Sequence, residues 1–142
     1  MKIILDTNFL VYCAKNKLDY KEEIGNLIKE GFELVVPEQV VDELVKIIKK
    51  TKEKNSWLLK ARNPKFKKTT GRDKDAANLA LQLLEFNKIK IIQTQGKNVD
   101  DAIINLANQD KKNIVCTLDR EMRSALGRVI LINRFKRLML TK

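Results

Sequence analysis

Five acids stand where they could do chemistry. Asp6 ends the apolar run Ile3-Ile4-Leu5, and Asp119 ends a second run, Ile114-Val-Cys, with Thr117 two residues before it. Each run is too short for a helix and fits a buried strand, and a helix-like stretch follows each at once. A strand that stops at a carboxylate and turns into a helix puts that carboxylate at the carboxyl end of a sheet, where open α/β sheets bind their ligands. Asp100-Asp101 opens the apolar stretch Ala102 to Ala107, just after a strand and a polar loop, and so faces the same edge. Glu43 lies three residues after Val40 and four before Ile47, on the apolar stripe of a helix. A carboxylate there is costly unless it is paired, hydrogen-bonded or bound to a metal.

Each acid has a plainer explanation. Asp is a common helix cap, acids in a first turn suit the helix dipole, and an edge glutamate can reach solvent or a lysine. Taken together the acids favour one shared pocket. Clustered carboxylates repel one another and cannot all stay ionised without cations. Hard divalent ions with oxygen ligands, Mg2+ or Mn2+, answer that need. Two such ions about 4 Å apart can activate a water and stabilise the leaving oxygen of a phosphodiester.

Composition narrows the classes. The 142-residue chain contains no histidine, which excludes Ser-His-Asp and Cys-His catalysis, the two-histidine zinc motif and any histidine general base. Its net charge of +11 argues for a polyanionic partner. Residues 49–72 carry ten Lys or Arg against a single acid, Glu53, and so hold +9 of that charge. Trp57 and Phe66 are interleaved with them, and the density of one sign makes this a nucleic-acid surface rather than only a solvated face. Lys52, Lys54, Lys60, Arg62, Lys65, Lys67, Lys68 and Arg72 are the expected phosphate contacts, and either aromatic would stack on a base or pack in the core. Cys13 and Cys116 lie in apolar segments without metal-type spacing and read as reduced core residues. No apolar run approaches the ~18 residues of a membrane span and no signal peptide opens the chain, so a cytoplasmic protein with no membrane partner is expected.

The elements that must position these residues follow in order. Strands are expected at 3–5, 33–36, 89–93, 113–116 and 129–132. Helices are expected at about 6–15, from Asp19 to a stop at Gly31, from Pro37 to about Lys52, at 76–86 opened by Arg72 to Asp75, at 99–107, and from Arg120 to a stop at Gly127. Asp75 is retained as a distant support of the site. The tail, Asn133 to Lys142, adds four cations and reads as an extra strand or an arm. Alternating strands and helices in one domain spanning 1–142 indicate an α/β fold, a three-layer sandwich with a parallel sheet.

At this point the sequence resembles the PIN domain family, the ribonuclease fold of toxin–antitoxin toxins and of ribosomal-RNA processing nucleases. The resemblance rests on Ile-Ile-Leu-Asp6-Thr-Asn8, on Val-Pro37-Glu-Gln-Val-Val-Asp-Glu43-Leu, on Asp100-Asp101-Ala-Ile-Ile-Asn-Leu-Ala, and on Ile-Val-Cys-Thr117-Leu-Asp119-Arg-Glu-Met-Arg. It implies a five-stranded parallel sheet of order 3-2-1-4-5, often in a homodimer. It also implies Asp6, Glu43, Asp101 and Asp119 as the metal-binding acids, with Asn8 and Thr117 as polar supports. The doubled Asp100-Asp101 makes Asp100 the alternative third acid, and the family's helix spacing favours Asp101. The implied activity is hydrolysis of single-stranded RNA with Mg2+ or Mn2+, leaving 5′-phosphate and 3′-hydroxyl ends. The implied partners are single-stranded or structured RNA and an antitoxin or a ribosome-assembly protein. The long basic segment and tail lean towards RNA processing rather than a toxin. Two rivals stand beside this reading. One is a PIN-like scaffold that holds RNA in ribosome assembly without cutting it. The other is a phosphorylation receiver, which needs paired acids after the first strand; here the pair follows the third.

Overall fold

In the computed structural model the backbone is described for residues 1–61 and 71–141, and side chains for 1–49 and 72–141. The chain opens with strand β1 (Lys2–Leu5), helix α1 (Thr7–Lys15), helix α2 (Tyr20–Leu27) and strand β2 (Glu33–Pro37). Helices α3 (Glu38–Ala61) and α4 (Gly71–Phe86) lead to β3 (Lys90–Ile92). Then come α5 (Val99–Ala107), β4 (Ile114–Cys116), α6 (Arg120–Ala125), β5 (Val129–Ile132) and β6 (Leu138–Leu140).

The sheet order is β3-β2-β1-β4-β5-β6. The first five strands are parallel, and β1 is central, with Ile4 opposite Val35 on one side and Val115 on the other. Ile3, Ile4, Leu5, Val35, Val36, Ile114, Val115 and Cys116 are all within the core. A strand covered on both faces needs a continuous apolar run rather than alternation, which is why β1, β2 and β4 look as they do in sequence. From β1 the chain steps outward to β2 and β3, then crosses back to β4 on the other side. Right-handed crossovers moving in opposite directions place their helices on opposite faces. So α1, α3 and α4 pack on one another, while α5 packs on β1, β2 and β4.

Several boundaries differ from the sequence expectation. The sheet has six strands rather than five parallel ones, because the tail folds back as β6, antiparallel to β5. Asn133 makes that hairpin: its Oδ1 accepts from Phe135 N at 2.9 Å and from Arg137 N at 3.1 Å, and Lys136 adopts a left-handed φ of 59°. Leu138 is buried and Met139 exposed, an alternation too short to read in three residues. Helix α2 stops at Leu27, short of Gly31, because Ile28 takes extended backbone and turns its side chain into the core. Helix α3 runs on to Ala61, nine residues past Lys52, since a run rich in Lys contains no helix breaker there.

Candidate active site

Asp6 continues the β1–β4 ladder, its N–H donating to Cys116 O at 3.0 Å. Thr117 does the same one strand further, to Ile130 O at 3.1 Å. Both therefore sit at the carboxyl edge, between the two strands where the chain reverses its direction across the sheet. That is the switch point at which such sheets bind ligands. Asp6 is 4% exposed. Its Oδ1 accepts from Thr7 N at 2.7 Å, capping α1, and its Oδ2 accepts from Thr117 Oγ1 at 2.8 Å. Thr117 Oγ1 in turn accepts from Asp119 N at 3.0 Å. Asp119 caps α6, its Oδ1 accepting from Glu121 N at 2.9 Å and Met122 N at 3.4 Å. The capping explanation thus holds for one oxygen of Asp6 and one of Asp119, and the two acids are linked through Thr117.

Burial pushes the Asp6 carboxyl up from 3.8 to about 6. The hydrogen bonds from Thr117 and Thr7 oppose this, and the charges of Asp100 and Glu43 add to it. The charges of Asp100 and Glu43 therefore bear on Asp6 from a distance. Asp100, rather than Asp101, is the member of the doublet whose charge reaches Asp6. Both are exposed in the first turn of α5, which is capped by neither: Asn98 Oδ1 accepts from Asp101 N at 2.9 Å. Glu43 is half-buried on α3, in a depression shared with Gln39, Lys46 and Lys97. Asn8 is exposed and shares a second depression with Tyr12, Lys15 and Asp119. Asp75 is exposed on α4, while its neighbour Asp73 pairs with Lys15.

Three positioning residues were not singled out from the sequence. Gln39 stands one helical turn before Glu43, and its Nε2 donates to Thr94 O at 2.7 Å, tying α3 to the loop before α5. Asn105 Nδ2 donates to Gln95 O at 2.7 Å. Gly96 lies so close to α5 that a Cβ would come within 2.6 Å of Ala102 N. A lone glycine in a polar loop was the available signal. Nothing in the local sequence reveals Gln39, whose partner is 55 residues away.

The donor set is all oxygen and acidic, which fits a hard divalent ion in kind, and such an ion would relieve the repulsion felt at Asp6. In spacing the acids stand apart: among the described residues, no group of three or more Asp, Glu or Cys is gathered closely enough to hold a metal. Next to Asp6, Thr7 Oγ1 is buried without a hydrogen-bond partner. Of the expected RNA contacts, Arg72 is exposed at the start of α4. Arg62, Lys65, Lys67 and Lys68, with Phe66, lie outside the described residues, as do the side chains of Lys52, Lys54, Trp57 and Lys60. Cys13 and Cys116 are free and buried, and burial raises the Cys13 thiol to about 12, so neither is a nucleophile. Among the described residues no helix is long and apolar enough to cross a membrane.

Comparison with known proteins gives the fold its family. Over 125 residues the chain is 33% identical to Ribonuclease VapC4 of Methanocaldococcus jannaschii, which covers 88% of this chain and 82% of that protein. Among solved structures, the PIN domain endonuclease Utp24 superposes with a TM-score of 0.66 at 18% identity, over 96% of this chain and 90% of that one. VapBC2 from Rickettsia felis, bound to a DNA fragment from its promoter, superposes with a TM-score of 0.50 at 13% identity, over 89% and 94%. At these identities both structures speak to the fold alone. Residues 3–132 match the PIN-like domain family, and with the relative at 33% identity this establishes that the chain belongs to it.

Proposed function

We propose that the protein is an endoribonuclease that hydrolyses phosphodiester bonds of single-stranded RNA at the carboxyl edge of β1 and β4, as one domain over 1–142. The carrying observation is Asp6: a buried carboxyl at the switch point, raised to about 6 by burial and by Asp100 and Glu43, and oriented on both oxygens. The likeness to a named ribonuclease supports the activity. Asp6, Glu43, Asp119 and the Asp100-Asp101 pair would hold Mg2+ or Mn2+, which when bound supplies activation of water and neutralisation of the departing 3′-oxygen.

The chain's own residues do the rest. Thr117 orients Asp6 and, through its accepted bond, Asp119. Gln39 and Asn105 fix the loop that sets α5, and with it Asp100 and Asp101, against Glu43. Because protons compete with the cation for Asp6, whose metal-free value is raised to about 6, metal binding and with it cleavage should strengthen as pH rises from the acid side. Lys and Arg of the 49–72 segment would hold flanking phosphates. Membership of the PIN-like family adds an antitoxin or a ribosome-assembly protein as a candidate further partner, and the basic segment favours RNA processing.

A second reading, an RNA-holding scaffold that does not cut, has one observation in its favour: the acids stand apart as described. A labelled single-stranded RNA incubated with Mn2+, Mg2+ or EDTA decides between them. Metal-dependent cleavage that drops by roughly 100-fold or more in Asp6→Asn supports the nuclease, since even outer partners of metal ligands are worth 10–100-fold. Tight binding with no cleavage under any metal establishes the scaffold.

A further inference from the structure

The hairpin between β5 and β6 carries an aromatic side chain and three cations that the acid site does not use. Strand β5 runs parallel to β1, so its end, and the turn 133–137 that follows, lie at the same carboxyl edge as Asp6. With β4 between them, the turn stands two strand spacings from β1, ~10 Å along that edge. The turn reads Asn133-Arg-Phe-Lys-Arg137, with no acid in it.

Two properties separate this turn from an ordinary basic loop. It is rigid: Asn133 Oδ1 accepts from two backbone N–H groups, and Asn133 N donates to Arg137 O at 2.8 Å. Leu138 anchors its far side in the core. And Phe135 is 70% exposed, which nothing in the packing of the fold requires. Arg134 covers one face of the ring, its guanidinium carbon 4.9 Å over the centroid, which leaves the opposite face for a base. Arg134, Lys136 and Arg137 are exposed around it. A braced aromatic face flanked by cations is how proteins hold single-stranded nucleic acid: the base stacks on the ring and the phosphates meet the charges.

We propose that the 133–137 turn is a nucleotide-binding platform, with the base of a nucleotide flanking the cleaved bond stacked on Phe135 and its phosphates held by Arg134 and Lys136, while Arg137 pairs with Glu23 at 4.0 Å. This rests on the ribonuclease reading for the orientation of the strand, which then runs along the sheet edge from the acids to the turn. The platform also gives the basic tail a role distinct from the 49–72 segment.

The full chain is titrated in EDTA, where no cutting occurs, into a fluorescently labelled single-stranded oligonucleotide. Phe135→Ala is expected to weaken binding roughly 10-fold, because a base–aromatic stack is worth about 1–3 kcal/mol. Phe135→Leu should weaken it similarly, and Phe135→Trp should restore it. In that last variant, tryptophan emission beyond the Trp57 background should be quenched on RNA addition. Unchanged affinity in Phe135→Ala together with an unquenched Phe135→Trp overturns the platform while the ribonuclease reading stands. So does a loss seen only in Arg134→Gln/Lys136→Gln, which would leave charge alone at work. A wild-type chain that binds no RNA overturns the platform, and the cleavage assay with Mn2+ or Mg2+ decides the ribonuclease reading separately.

Discussion

On one side of the acid site, Asp6, Thr117 and Asp119 are chained by hydrogen bonds of 2.8 and 3.0 Å on adjacent strands, with Asp6 and Thr117 almost wholly out of solvent. On the other side, Glu43 and Asp100 ride on two helices, half-buried and exposed, and reach Asp6 through charge rather than contact. The strand side is made by the sheet itself: once β1 pairs with β4, its polar groups are fixed. The helix side depends on a loop held by Gln39, Asn105 and Gly96. A site of the proposed kind would need its helix-borne acids brought closer to the buried strand side than they stand here.

The comparison breaks most completely at Asp6. Asp6→Asn should abolish cleavage yet stabilise the metal-free fold, because the amide keeps an acceptor for Thr7 and needs no ionisation. The folded-state value of about 6 lies above the unfolded 3.8. Stability from this group is therefore complete below about pH 4 and lost as pH rises through 6. At pH 8 the buried charge costs about 3 kcal/mol. Thermal melts at pH 8 should show the variant several degrees above wild type, and near parity at pH 4. Mn2+ should raise the wild-type melting point and leave the variant's unchanged.

Thr117→Val should cost roughly 10–100-fold in cleavage, since Asp6 and Asp119 lose their common tie. It also removes a bond that lowers the Asp6 value, so in the metal-free chain the Asp6 carboxyl, followed by NMR titration, should move above 6. A titration that stays in place would mean that the Thr117 bond does not hold Asp6 down.

Gly96→Ala sharpens the view of the helix side. The Cβ has no room against the Ala102 backbone, so the loop must move and Asp100 and Asp101 with it. We expect a destabilisation of about 1–3 kcal/mol in urea melts, with Mn2+ affinity reduced beyond what Gln39→Met produces.

The smallest effect separates the two acids of the doublet. In the metal-free chain Asp100→Asn should lower the titration of the Asp6 carboxyl below 6, because it removes a charge that raises Asp6, while Asp101→Asn should leave it where it is. Equal shifts from both would make the two acids equivalent.

Much of this molecule was legible in its residues. Apolar runs too short for helices marked β1, β2 and β4, because a doubly covered parallel strand must be apolar throughout. Carboxylates at the ends of two of them marked the edge where such sheets bind ligands, and the resemblance to the PIN domain family carried the sheet order from β3 to β5. The hairpin was not legible, since its cause is one asparagine bonding two amides and one lysine in a left-handed turn. Nor was the clamp from Gln39 to Thr94, which joins residues that only folding brings together. Sequence alone thus narrowed the chemistry open to the chain: local patterns of polarity decide elements, and a chain without histidine leaves any catalysis to carboxylates and lysines. Only the tertiary structure decided that Asp6 is buried and raised to about 6, that the charges of Asp100 and Glu43 reach it, and that Phe135 faces solvent at the same edge. Burial and charge are properties of what surrounds a side chain, and most of that surrounding comes from distant parts of the chain.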